Sequence, residues 1–144
     1  MEYVIDSNIA VKWFLPEPHS ERAEALLNAF RHQGLGLIAP DLIIPEVVNT
    51  LWKQSVRKKE ISLTEAMESC ADFLDLQFPV HPSAMIAEHA FQFATAEDHS
   101  VYDALYIVLA LQRGCEFVTA DEKLIKKLSR KYPFIRWLGS LQLS

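Results

Sequence analysis

The 144 residues (16.4 kDa) suffice for one domain, long enough to bury about two-thirds of the surface its unfolded chain exposes. Half the residues are apolar and 23% charged, with four glycines and seven prolines, which excludes disorder, collagen-like repeats and low-complexity linkers. A net charge of −5 argues against a general polyanion binder.

Tyr3-Val4-Ile5 is a short β-favouring run that breaks into Asp6-Ser7-Asn8, so a strand is expected with a carboxylate at its tip. A short helix through Lys12 follows and ends before Pro16, because a residue preceding proline is pushed out of helical geometry. Pro16-Glu17-Pro18 reads as a turn. Ser20 is the expected cap of a helix with Ala23, Leu26, Leu27 and Phe30 inward and Gly34 as its stop. Leu35 to Ala39 is the second strand. Pro40-Asp41 should then cap a long helix from about Leu42 to Arg57, in which Pro45 is tolerated because first-turn N–H groups have no partner to lose.

Ser62-Leu63-Thr64-Glu65 has the capping-box form and opens a helix through about Gln77. A brief strand, Phe78 to Val80, precedes a helix started by Pro82-Ser83. Ser100 caps the most apolar helix, where only Asp103 interrupts the apolar set between Val101 and Leu111, so the helix should be buried. Glu116 to Thr119 is the fourth strand, Glu122 to about Lys131 a basic helix and Phe134 to Leu138 the last strand. Five short strands alternating with helices predict an α/β fold, a single domain over 1–144, with a parallel sheet covered on both faces.

Four carboxylates stand out. Asp103 sits in a helix expected to be buried, where a charge costs several kcal/mol unless it is paired, metal-bound or open to a cleft. Ser100 and Asp103 also stand at N-cap and N3, where a carboxylate meets the helix dipole favourably. Asp121 reads equally as an N-cap, Glu46 as a first-turn dipole partner and Asp6 as a turn former. In the inferred topology all four lie at one end of the sheet and could converge in one crevice. Carboxylates so placed repel unless a cation neutralises them, and oxygen-only ligation suits Mg²⁺ or Mn²⁺ rather than zinc.

The remaining signals are weaker. Cys70 and Cys115 lack ligand spacing, which disfavours a disulfide scaffold and suits a reducing cytoplasm. No secretory leader pattern or membrane-length apolar run is visible, so a soluble, cytoplasmic protein is expected. Nine of the fourteen basic residues fall in two stretches, Lys53, Arg57, Lys58 and Lys59, then Lys123, Lys126, Lys127, Arg130 and Lys131. They are either rims that contact phosphate, with Lys53, Arg57, Lys126 and Lys127 the candidates, or solvated helix faces. The five histidines form no metal-binding pair and read as surface or supporting groups. Ser7 has neither a GxSxG elbow nor a histidine partner at a recognisable distance.

Tyr3-Val4-Ile5-Asp6-Ser7-Asn8 running into Ala10 to Glu17, then Pro45-Glu46-Val47, Tyr102-Asp103-Ala104-Leu105-Tyr106 and Val118-Thr119-Ala120-Asp121 resemble the PIN domain family. The likeness is strongest to the VapC-type toxin ribonucleases of prokaryotic toxin–antitoxin pairs, and it spans nearly the whole chain. It implies an α/β/α sandwich with Asp6, Glu46, Asp103 and Asp121 at the family's four acidic positions and Asn8 and Thr119 as polar neighbours. It further implies a divalent ion that activates water and polarises the scissile phosphate, an RNA substrate, a homodimer and a cognate antitoxin over the cleft. Two other readings compete. A binding module would keep the fold and not cut. A phosphoaspartyl phosphatase would use Asp6 as nucleophile, but its DxD motif is broken by Asn8.

Overall fold

The computed structural model describes residues 1–143. Strands β1 (Glu2–Ile5), β2 (Gly36–Pro40), β3 (Val80–His81), β4 (Glu116–Thr119) and β5 (Ile135–Trp137) form one sheet in the order β3-β2-β1-β4-β5. Every pairing is parallel. Val4 lies beside Ile38 on one side and Phe117 on the other, so β1 is the centre of the sheet and is buried accordingly. Near-continuous apolar strands are what a sheet covered on both faces requires.

The connections are helical: α1 (Ser7–Ala10), α2 (Ser20–His32), α3 (Ile43–Trp52), α4 (Leu63–Asp75), α5 (Ala87–Glu97), α6 (Val101–Arg113) and α7 (Glu122–Leu128). Right-handed crossovers put α1 to α4 on one face and α5 to α7 on the other, the expected α/β/α sandwich. Helix α6 packs across β1, β2 and β4, and Ala104 through Ala110 are all buried. Only its ends are open, with Tyr102 and Leu111 exposed.

The Ser62–Glu65 capping box and the Ser100 cap of α6 form as expected. Several boundaries differ. Ser20 is not a cap. His19 takes that place with a left-handed backbone (φ 65°), while the Ser20 hydroxyl accepts from the Glu17 N–H at 2.9 Å and donates to the Leu15 carbonyl at 3.3 Å. Asp41 does not cap α3 either; its carboxylate accepts from the backbone N–H and hydroxyl of Ser83, joining the ends of β2 and β3. The α-helical part of α3 stops at Trp52, and Lys53–Arg57 continue as a π-turn, where the Ser55 hydroxyl bonds the Leu51 carbonyl. Helix α7 ends at Leu128, three residues short of Lys131. Strand β3 begins two residues after the expected Phe78, which packs inward instead.

Candidate active site

Parallel strands all end at one edge of the sheet, and the chain leaves β1 towards β2 on one side while β4 lies on the other. A crevice opens at such a reversal. Asp6, the first residue beyond β1, stands there 7% exposed. Its Oδ1 accepts from the Ile9 N–H at 3.3 Å, capping α1, and its Oδ2 accepts from the Thr119 hydroxyl at the end of β4. Thr119 is fully buried, and its Oγ1 also accepts from the Asp121 N–H at 3.1 Å. One hydroxyl therefore ties the two strand-end aspartates together. Asp121 caps α7, its Oδ1 accepting from the N–H groups of Lys123 at 3.0 Å and Leu124 at 3.2 Å.

The other two carboxylates arrive on helices. Glu46 sits in the first turn of α3, where its Oε1 accepts from the Tyr106 hydroxyl at 2.5 Å. Asp103 stands in the first turn of α6, its N–H donating to Ser100 Oγ at 3.2 Å. The side chain of Asp103 is 41% exposed, in keeping with the opening to a cleft that was one alternative for a charge in so apolar a helix. His99 Nε2 lies 2.8 Å from its Oδ2.

The charges feel one another. Burial pushes the Asp6 carboxyl up to about 7; repulsion from Asp103 and Asp121 adds to this, and the Thr119 and Ile9 hydrogen bonds oppose it. Burial also raises Glu46, against the Tyr106 bond and with repulsion from Asp103. The Tyr106 phenol is raised by its own burial and then by the Glu46 charge, so it remains a donor. All four acids thus share one electrostatic neighbourhood.

Among the described residues, no three His, Cys, Asp or Glu side chains are placed to hold one ion between them. Each carboxylate has an oxygen committed to a neighbour. The donor set still fits a hard cation that is bound through one or two carboxylates and keeps several waters, as Mg²⁺ does.

Residues 3–131 match the PIN domain family, a span that includes all four carboxylates and both polar neighbours. The chain belongs to the PIN domain family. It is 32% identical over 129 residues to Ribonuclease VapC3 of Pyrobaculum aerophilum, covering 88% of this chain and 95% of that protein. The solved protein PAE2754 of Pyrobaculum aerophilum has a TM-score of 0.63 at 23% identity, covering 88% of this chain and 86% of its own. VapC20 of Mycobacterium tuberculosis, described as a sarcin-ricin loop cleaving toxin, has a TM-score of 0.60 at 13% identity, covering 81% and 86%. These two structures establish the fold.

Within this PIN domain the basic residues are divided in their placement. Lys53 and Arg57 are exposed on the π-turn, with the Arg57 guanidinium 5.3 Å over the Trp52 ring. Lys126 is exposed on α7, whereas Lys127 donates to the Asp98 carbonyl at the end of α5. Asn8 is exposed beside the crevice. Two contributors were not singled out in the sequence. Tyr106 counts there as one more apolar position of α6, yet it lies three residues after Asp103. His99 lies four residues before Asp103, a spacing that reads as a pair only when Asp103 is known to face a cleft.

Proposed function

We propose that this chain is a Mg²⁺- or Mn²⁺-dependent endoribonuclease, the toxin of a toxin–antitoxin pair. The observation that carries the reading is Asp6, a carboxylate buried at the central strand's tip and surrounded by acids that raise its proton affinity. Such a group holds either a proton or a cation. The name of the VapC3 relative supplies the class of reaction.

Asp6 and Asp103 are the residues that would hold the ion, with Glu46 and Asp121 completing the site directly or through water. When bound, the ion supplies Lewis-acid polarisation of the phosphate and lowers the pKa of the attacking water. The protein's part is placement. Thr119 fixes Asp6, Tyr106 orients Glu46, and His99 orients Asp103, in the way that hydrogen-bonded neighbours orient metal ligands. Lys53, Arg57 and Lys126, all exposed, would meet backbone phosphates, and Asn8 would meet RNA beside Asp121. A homodimer, a cytoplasmic location and an antitoxin that covers the crevice belong to the same reading. Among the described residues no helix is long and apolar enough to cross a membrane.

A second reading draws on the same geometry. With Glu46 bonded to Tyr106 and Asp103 to His99, the acids do not converge on one point, as in a module that binds RNA without cutting it. Incubation with cellular RNA in Mg²⁺ or Mn²⁺, beside EDTA and Asp6→Asn controls, separates the two. Discrete fragments lost in both controls are expected for the nuclease. RNA binding that is insensitive to EDTA, without fragments, is the signature of the module.

A further inference from the structure

A cavity of about 500 Å³ opens beside Asp121, lined among others by Asn8, Lys12, His19, Lys123 and Trp137. No role given above to the four acids requires it, and its walls are specific. The six-membered ring of the Trp137 indole lies against Gly139, where an added Cβ would meet it at 2.5–2.7 Å, so only glycine leaves the ring in this place. The His19 imidazole meets the indole edge to face, with centroids 5.4 Å apart. The left-handed backbone of His19 and the Ser20 bonds in the turn before it hold that imidazole at the rim.

Lys12 is the second unusual feature. It is 8% exposed, yet an ammonium has three donors, and among the described residues its hydrogen bond goes to Glu17 at 3.2 Å. A buried cation with donors to spare, next to a cavity, suits an anionic oxygen. Lys123 stands on the same wall, two residues after Asp121. Aromatic faces with lysine ammoniums alongside are the chemistry that single-stranded nucleic acid requires, since every base has a stackable face and every link a phosphate.

We propose that this cavity is a nucleotide subsite, in which a base next to the scissile phosphate packs on Trp137 and His19 while its phosphate meets Lys12 and Lys123. The proposal rests on the ribonuclease reading and deepens it: the substrate is single-stranded at this position, with its flanking base unstacked from its neighbours.

The test uses the full wild-type chain with Ca²⁺ in place of Mg²⁺, so that the acids hold a cation while cleavage is suppressed, with a fluorescent random-sequence single-stranded RNA of ten nucleotides as the probe. Trp137→Leu should weaken binding about tenfold or more, and Trp137→Phe, which keeps an aromatic face, by no more than about threefold. In a Trp52→Phe background, which removes the indole beside Arg57, RNA should quench tryptophan emission, and the quench should vanish when Trp137→Phe is added and only Trp13 remains; this readout stands even if the leucine variant fails to fold. Binding by a folded Trp137→Leu variant equal to the parent's, or a quench that survives Trp137→Phe, would overturn the subsite alone and leave the nuclease reading intact. A parent that binds no RNA would overturn both. Quenching by an arginine-rich peptide but not by RNA would assign the cavity to a protein partner and equally overturn the proposal.

Discussion

At the scale of the residue, Asp6 concentrates the conflict between stability and chemistry. Its folded-state pKa of about 7 against 3.8 unfolded means the folded protein holds this proton more tightly. Its contribution to stability is therefore fully present below about pH 4 and is lost as pH rises to about 7, by about 4 kcal/mol in the metal-free protein. Urea denaturation from pH 4 to pH 8 should show this loss in the wild type and not in Asp6→Asn, which keeps the shape without the charge. Equal pH dependence in the two would remove Asp6 as the source. Thr119 makes a second residue-level case, because its buried hydroxyl both donates to Asp6 and accepts from the Asp121 N–H. Thr119→Val should raise the Mg²⁺ concentration needed for half-maximal cleavage about 10- to 100-fold, with the rate at saturating Mg²⁺ much less affected. A lowered rate with unchanged Mg²⁺ dependence would assign the hydroxyl to another step.

At the scale of the element, what was legible in the sequence was whatever local chemistry decides. The Ser62–Glu65 box and the Ser100 cap depend only on residues three apart, and both form. Ser62→Ala should cost about 1 kcal/mol in chemical denaturation and leave cleavage unchanged, because α4 supplies no side chain to the crevice. A loss of cleavage in this variant would tie α4 to the site. Ser20 and Asp41 look like caps in sequence but bond elsewhere, Ser20 to the backbone of the turn before it and Asp41 to Ser83 across the sheet edge. The exposure of Asp103 was one of three alternatives that its sequence left open. A helix's apolar composition gives its average environment, and α6 is buried only where it crosses the strands. Phe78 favours a strand locally, but packing between Trp13 and Phe30 draws it into the core and delays β3.

At the scale of the whole molecule, a ribonuclease of net charge −5 would have to bring a polyanion to four carboxylates, and Coulomb repulsion would oppose every step of that approach. The proposed divalent ion would reverse the local sign in the crevice, and that proposal joins the sheet's switch point, the raised Asp6 pKa and the ribonuclease relative in one account. The acidic positions were legible because each follows a strand or opens a helix. Their partners were not, since Tyr106 and His99 acquire meaning only from where the fold sends them. The most direct measurement is calorimetric titration of Mn²⁺ into the protein at pH 6 and at pH 8.5, each in two buffers of different ionisation heat. The account predicts saturable binding with close to one proton released at pH 6, little release at pH 8.5, and loss of binding in Asp6→Asn. Absence of binding, or binding that survives Asp6→Asn with the same proton release, would contradict it.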